Sequence, residues 1–321
     1  MLRSFIINKN DANQRLDKFI AKSLPALPPA LLYRYIRLKR IKVNGKRAEI
    51  SYKLQIDDFV EMYINDEFFV KPKNRFDFLE ASKELPILYE DENILLLDKS
   101  VGMLSHPDET EYKDTLITCV KHYLYGKGVY SPEDEASFTP ALVNRIDRNT
   151  GGIVIAAKNA ESLRVLNEKM KNREIRKLYL CVVRGTMPHE RDFLDGWLKK
   201  DEADNKVKVY STEQVGSKEI KTKYRVIASA QGLSLIEVEL LTGRKHQIRA
   251  HFAHIGFPLL GDGKYGKVAK SNTPGFNKQF LYSYNLIFDF KSDAGCLNYL
   301  QGRNFEIEKV WFAVDFPNNV I

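Results

Sequence analysis

Two apolar runs, Ala141-Leu142-Val143 and Ile153-Val154-Ile155-Ala156-Ala157, bracket the polar stretch Asn144-Arg145-Ile146-Asp147-Arg148-Asn149-Thr150-Gly151-Gly152. Such runs fit buried strands, which makes the stretch between them a hairpin-like tip. The tip carries one carboxylate between two arginines and ends in a Gly-Gly pair. Glycines there permit positive φ and close approach of a neighbouring backbone. A tip of this kind can hold one acid in a cleft with cations beside it. It can equally be a surface turn with Asp147 in water, because loops on rigid scaffolds carry both decoration and function.

Around this centre the chain alternates between strand and helix signals. Residues 11–24 read as a helix with Leu16, Phe19, Ile20 and Leu24 on one face, Asp11 or Asn13 as its cap and Pro25 as its stop. A second helix is expected from Pro29 to Arg40. The strand Ile41-Lys42-Val43, an Asn44-Gly45 turn and the strand Phe59–Ile64 follow. Residues 66–85 lack a clean period. Ile87–Glu90 and Ile94–Asp98 read as a hairpin, and Thr115–Tyr125 as a helix. Asn159 caps another helix, and Lys177–Val183 is a buried strand. Residues 186–217 are polar and expected as strand-loop-strand. Residues 224–227 and 233–240 alternate as strands, Thr242–Phe252 turns into a short helix, and Val310–Val314 reads as a final strand.

The formal net charge is +8 and the pI about 9.1, which suits a polyanionic partner. The excess is concentrated: Arg34, Arg37, Lys39, Arg40, Lys42, Lys46 and Arg47 occur with no acid among them, a nucleic-acid signal that competes with a merely solvated basic face. The three cysteines are too scattered for disulfides or zinc and fit a reducing cytoplasm. No apolar run approaches membrane-spanning length. Gly261-Asp262-Gly263-Lys264-Tyr265-Gly266 matches G-x-G-x-x-G but lacks the strand before and long helix after that a dinucleotide site needs, so it is read as a glycine-rich loop near RNA or the core. His246, His251 and His254 lack the pair spacing of a zinc site, and no metal is expected.

Several of these segments resemble one family. Asn144–Gly152 is similar to H-R-L-D-x-x-T-S-G, Lys177–Gly185 to K-x-Y-x-A-x-V-x-G, Thr242–His251 to T-G-R-T-H-Q-I-R-V-H and Asp98–Pro107 to N-K-P-A-G-L-L-V-H-P. Together, in this order, they resemble the RluA/RluC/RluD-type pseudouridine synthases over roughly residues 86–290. Residues 12–65, through Gln14–Phe19, Tyr33–Arg37, Ile41–Lys46 and Asp57–Val60, resemble the S4-type RNA-binding domain carried by RluC-like members. The sequence departs from the pattern at Asn144 (usually His), Gly151 (Ser), Ser100 (Pro) and Tyr282-Ser283 (His-Ala).

The resemblance implies an α+β chain. Its catalytic domain, residues 86–321, would be built on a largely antiparallel mixed β-sheet with flanking helices and loops, the pseudouridine synthase fold. A small N-terminal α/β S4-like domain would span residues 1–70, and residues 71–85 would link the two. The implied activity is isomerisation of specific uridines to pseudouridine, in large-subunit (23S) ribosomal RNA, with transfer RNA as the alternative. A non-catalytic RNA-binding or ribosome-assembly protein is the alternative of another class. Asp147 would be the catalytic carboxylate, Arg249 its partner, and Tyr179 would stack on the uracil and help the proton leave C5. Leu281 would wall the site, with Arg145, Arg244 and His246 as further substrate contacts. Arg34, Arg37, Lys39, Arg40, Lys42, Lys46 and Arg47 would hold RNA. No cofactor, nucleotide cofactor or membrane is implied, and a cytoplasmic monomer is expected.

Overall fold

The computed structural model describes residues 2–70, 75–201, 206–266 and 278–318. Its N-terminal part is a small sheet backed by two helices. The elements are β1 (Leu2–Ile6), α1 (Leu16–Ser23), α2 (Pro29–Arg37), β2 (Ile41–Val43), β3 (Lys46–Arg47) and β4 (Phe59–Tyr63). The sheet is antiparallel, in the order β1-β4-β2-β3. Leu16, Phe19 and Ile20 of α1, Leu32 and Ile36 of α2, and Val60 and Met62 of β4 meet in one buried cluster. Each such side chain contributes about 1.5–3 kcal/mol on full burial.

Both helices are shorter than their apolar periodicity predicts. The first starts at Leu16 rather than near residue 11. Asn13 takes a φ of 60°, which breaks a helix, and Asp11 does not cap it. Asp11 is buried and accepts hydrogen bonds from the backbone N–H and hydroxyl of Ser137 (3.1 and 2.6 Å). The second helix ends at Arg37 rather than Arg40. Lys39 takes a φ of 57°, and the Arg40 N–H donates back to the Tyr35 carbonyl (3.0 Å), a Schellman ending. Arg34 and Arg37 therefore lie on the helix, while Arg40 lies in the turn after it.

The larger part begins with β5 (Ile87–Glu90), β6 (Ile94–Lys99), α3 (Leu116–Gly126), β7 (Ala141–Leu142), β8 (Gly151–Ala157), α4 (Ala160–Lys171) and β9 (Ile175–Arg184). It continues with β10 (Arg191–Asp201), β11 (Lys206–Tyr210), β12 (Lys218–Ala230), β13 (Leu233–Leu240), α5 (Gln247–His254), β14 (Leu281–Phe288) and β15 (Asn304–Glu306). One mixed sheet runs β11-β10-β12-β13-β9-β14-β8-β6-β5, with β7 on β8 and β15 on β14. The pairings are antiparallel except β14 with β8, where Tyr282 faces Gly151 and Ser283 faces Gly152. The family pattern and this sheet agree on an α+β architecture. Asn159 caps α4, its Oδ1 accepting from the Ser162 N–H at 2.8 Å.

Two further segments differ from their sequence pattern. Val310–Val314 forms consecutive turns instead of a strand. Val310 and Phe312 are buried beside Phe280, so the apolar alternation is real, but the Ala313 N–H bonds the Val310 carbonyl locally rather than a neighbouring strand. Within the stretch expected as a linker, residues 71–74 lie outside the described residues. The part that follows is packed: the Phe78 ring is buried and makes edge contacts with His122 and Tyr125 of α3.

Candidate active site

The tip between β7 and β8 is held from three sides. Asn144 is buried, and its side chain ties the two strands: its Oδ1 accepts from the Ile155 N–H (2.9 Å) and its Nδ2 faces the Ile153 carbonyl (3.4 Å). The Thr150 N–H bonds the Asp147 carbonyl (3.0 Å) and closes the turn. The loop after β6 supplies the second side. The Gly102 N–H donates to the Arg148 carbonyl (2.8 Å), Arg148 Nε returns a bond to the Gly102 carbonyl (3.0 Å), and Ser105 Oγ donates to the Ile146 carbonyl (3.1 Å). From the end of β6 the fully buried Lys99 reaches under that loop and donates to the carbonyls of Ser100, Met103 and Arg148 (2.9, 2.8 and 3.1 Å). Burial pushes its ammonium down to about 8, against the pull of Asp147 and Asp98.

The third side is β14, and it explains the Gly-Gly pair. A Cβ on Gly151 would enter the Tyr282 ring, and one on Gly152, whose φ is 110°, would strike the backbone of Ser283. Two glycines let β14 run directly against the tip. That places Leu281, at the head of β14, beside Tyr179 in the middle of β9.

From the opposite wall comes the first turn of α5. Gln247 anchors it with every side-chain hydrogen-bonding group it has. Its Nε2 donates to the Lys221 carbonyl and Thr222 Oγ1 (both 3.0 Å), and its Oε1 accepts from Thr242 Oγ1 (2.8 Å) and the Arg244 N–H (3.1 Å). His246 just before it adopts a left-handed conformation, φ 55°. Two residues past Gln247, Arg249 extends to the tip.

Arg249 is the electrostatic hinge of the site. Its Nη1 meets Asp147 Oδ2 at 2.8 Å, while Nε and Nη2 form a fork on Asp262 at 2.7 and 2.9 Å. Burial opposes the guanidinium charge, but the two carboxylates more than restore it and leave Arg249 more basic than usual. Burial likewise works to raise the Asp262 carboxyl, and Arg249 with two backbone N–H groups overcomes it and holds Asp262 below the usual range. His246 Nε2 stands 3.7 Å from Asp147 Oδ2. Burial pushes its imidazole down to about 4, opposed by Asp147 and reinforced by Arg249, so it is neutral at pH 7. Burial raises the Tyr179 phenol to about 12, so it too is neutral.

These groups line one cleft of about 720 Å³. Asp147, Tyr179, Arg249, Arg145, Leu281, Arg244 and His246 all border it. Arg145 and Arg244 are exposed at its rim. The seven N-terminal cations do not reach it. They sit on the smaller part of the fold, exposed except for Lys42, whose Nζ lies 5.4 Å from the centre of the Tyr63 ring. The smaller part is tied to the larger by the Asp11–Ser137 bonds and by Asn10 Oδ1 accepting from the Ala160 N–H (3.1 Å). Sequence reasoning leaves out Lys99 and Asp262. The first stood inside a recognised motif and the second inside the glycine-rich loop, but neither points to the site until its partner across the cleft is known.

A family model described as RNA pseudouridylate synthase matches residues 93–254, and an S4 domain model matches residues 14–60. The chain is 32% identical over 306 residues to an uncharacterized RNA pseudouridine synthase of Mycoplasma capricolum, covering 94% of this chain and 96% of that one. It is 30% identical over 298 residues to the ribosomal large subunit pseudouridine synthase C of Haemophilus ducreyi, covering 90% and 88%. Among solved structures, human RNA Pseudouridylate Synthase Domain Containing 4 shares the fold, with a TM-score of 0.56 at 19% identity over 73% of this chain and 92% of that chain. This chain belongs to the RNA pseudouridylate synthase family, whose activity is an isomerisation, and it carries an S4 domain ahead of the catalytic part.

Proposed function

We propose that this protein converts uridine to pseudouridine in large-subunit ribosomal RNA, with Asp147 as its catalytic carboxylate. One observation carries the reading: Asp147 stands in a cation-rimmed cleft, ion-paired to Arg249 and within the same walls as Tyr179 and Leu281. The ribosomal target is supported by the S4 match and by relatives named for the large ribosomal subunit, such as the Haemophilus ducreyi protein.

In the proposed reaction the N1–C1′ bond of the target uridine breaks, the uracil turns over, and C5 bonds to C1′. The proton on C5 leaves and N1 regains one, so atoms balance without a redox partner or second substrate, and no cofactor is assigned. Asp147 acts on the detaching ribose or uracil. Tyr179 stacks on the base as a neutral phenol, and its hydroxyl takes part in moving the C5 proton. Leu281 supplies apolar wall. A stacked base is out of reach of such a cleft, so the uridine is flipped into it at a cost of a few kcal/mol. Arg145, exposed beside Asp147, fills the gap left in the RNA or holds a phosphate. Residues 1–70 serve as RNA anchor and 86–321 as catalytic domain of a monomer working in the cytoplasm; residues 71–85 join them, with Phe78 packed on the catalytic side.

The test is a map of pseudouridine in ribosomal and transfer RNA from cells with and without the gene. Loss of one or more sites confined to the large-subunit RNA supports the proposal. Loss confined to transfer RNA overturns the target, and an unchanged map overturns the activity.

A further inference from the structure

The loop Gly261–Gly266 has nucleotide-loop spacing, yet it leads into no helix among the described residues and folds back on itself. The Gly266 N–H bonds the Asp262 carbonyl at 2.9 Å, and Asp262 Oδ1 accepts from the N–H groups of Lys264 and Tyr265 at 2.9 and 3.2 Å. At Gly261, whose φ is 72°, a Cβ would run into the carbonyl of Lys278, so the turn is pressed against backbone. Two side chains leave this turn toward Asp147, and each grips one of its two neighbours.

We propose that Asp262 and Tyr265 are positioning residues for catalysis: Asp262 fixes which nitrogen of Arg249 faces Asp147, and Tyr265 fixes the orientation and tautomer of His246. The inference rests on the reading of Asp147 as catalytic carboxylate. A guanidinium can offer its nitrogens in several pairs. Here Asp262, with a side chain 0% exposed, occupies Nε and Nη2, which leaves Nη1 for Asp147. Turning the guanidinium would break both bonds of the fork and leave the fully buried Asp262 carboxylate without them, so the direction of Nη1 is set from behind.

Tyr265 does the same for His246 through its hydroxyl, which accepts from the Val207 N–H at 3.0 Å and lies 2.8 Å from His246 Nδ1. In this assignment the hydroxyl gives its own proton to Nδ1. The imidazole then carries its proton on Nε2, the atom that faces Asp147 Oδ2. The Tyr265 ring also covers Arg249, with Cζ 5.2 Å from the ring centre. A single short turn thereby sets two polar neighbours of the reacting carboxylate, Arg249 and His246.

The experiment measures tritium release from a large-subunit ribosomal RNA transcript carrying 5-tritiated uridine, beside filter binding of the same RNA and thermal melting. Asp262→Asn is expected to keep RNA affinity and KM within about threefold while kcat falls about 100-fold, the scale of a misplaced catalytic group. In an Arg249→Met background the same substitution is expected to change kcat by less than about threefold, because its effect passes through Arg249. Tyr265→Phe keeps the ring over Arg249 and loses the hydroxyl, and its kcat is expected to fall about tenfold with KM unchanged. A folded Asp262→Asn enzyme with wild-type kcat, or an equal loss in both backgrounds, overturns the Asp262 assignment. Should Asp262→Asn not fold, Tyr265→Phe decides, and wild-type kcat there overturns the proposal. Asp147→Asn separates the two levels: its continued turnover sinks the site reading itself, whereas its inactivity beside a fully active Asp262→Asn sinks only this inference.

Discussion

The ring of Tyr282 lies where a side chain on residue 151 would begin, and its hydroxyl donates to Asp98 Oδ1 at 2.6 Å. Tyr282 and Gly151 are both departures from the family pattern, which has His and Ser there. The two fit one another: the ring occupies the space that a serine side chain would enter, and its hydroxyl has Asp98 as an acceptor beyond it. Burial raises the Asp98 carboxyl and the Tyr282 hydrogen bond opposes that rise.

Gly151→Ser alone is therefore expected to be destabilising by about 1–3 kcal/mol through overpacking, and to distort the tip that holds Asp147. Adding Tyr282→His to it makes room and should recover most of the loss. Thermal melts of the single and double variants provide the measurement. Equal melting temperatures for wild type and Gly151→Ser would show that the space is not shared.

Asp147→Asn should bind RNA at least as well as wild type, since one negative charge leaves a cleft that receives a polyanion. It should form no detectable pseudouridine, because the amide is a poor base and nucleophile. Filter binding and nucleoside analysis on one preparation decide the matter, and residual product from a well-folded variant counts against the assignment.

Tyr179→Phe retains the ring and hence the stacking surface. RNA affinity should match wild type while turnover falls about 100-fold if the hydroxyl moves a proton. Wild-type turnover would leave Tyr179 as a stacking surface alone.

Reversing Arg34, Arg37 and Arg40 to Glu should weaken binding of a long RNA and flatten its salt dependence, by about one unit of log–log slope for each phosphate that is no longer neutralised. An unchanged slope in a salt titration would remove these residues from the RNA path.

Mild acid should destabilise the fold through two buried histidines. Burial holds His246 and His251 neutral, each down to about 4 from an ordinary 6.5. Between those values the unfolded chain binds the extra protons. The stability each histidine contributes is thus complete above pH 6.5 and lost as pH falls toward 4. At pH 5 this amounts to on the order of 2 kcal/mol for the buried His251; His246 borders the open cleft beside Asp147, so solvent screening makes its share smaller. Denaturant midpoints measured from pH 7 to pH 5 should fall, and His251→Gln should flatten the fall. A pH-independent midpoint across that range contradicts it.

The parts of this protein that announce themselves in sequence are those set by neighbours along the chain. Apolar runs on either side of a Gly-Gly pair mark the tip at Asp147, and Asn159 signals the helix it caps. Signals fail where the deciding partner is far away. Asp11 looks like a helix cap until Ser137 is found against it, and Val310–Val314 alternates like a strand because two of its side chains pack into the cluster around Phe280, although among the described residues it pairs with no strand. Asp262 is an ordinary acid in a glycine-rich loop until Arg249 lies across from it. The family pattern pointed to Arg249, but no local feature pointed to the residue that aims it.

The parallel pairing of β14 with β8 has a consequence for how the molecule is made. Among the described residues β14 is the only strand that joins β9 to β8. Until residues 281–288 leave the ribosome, nothing in this sheet order can join the β9 side to the β8 side, and the edges that β14 will cover stay open to pairing with another chain. The partners β14 must find lie far earlier in the chain, a closure that topology makes slow. Asp147 and Leu281 come together only in that closing event, so a nascent chain can already expose the basic surface of its N-terminal part while still lacking a site in which to do chemistry.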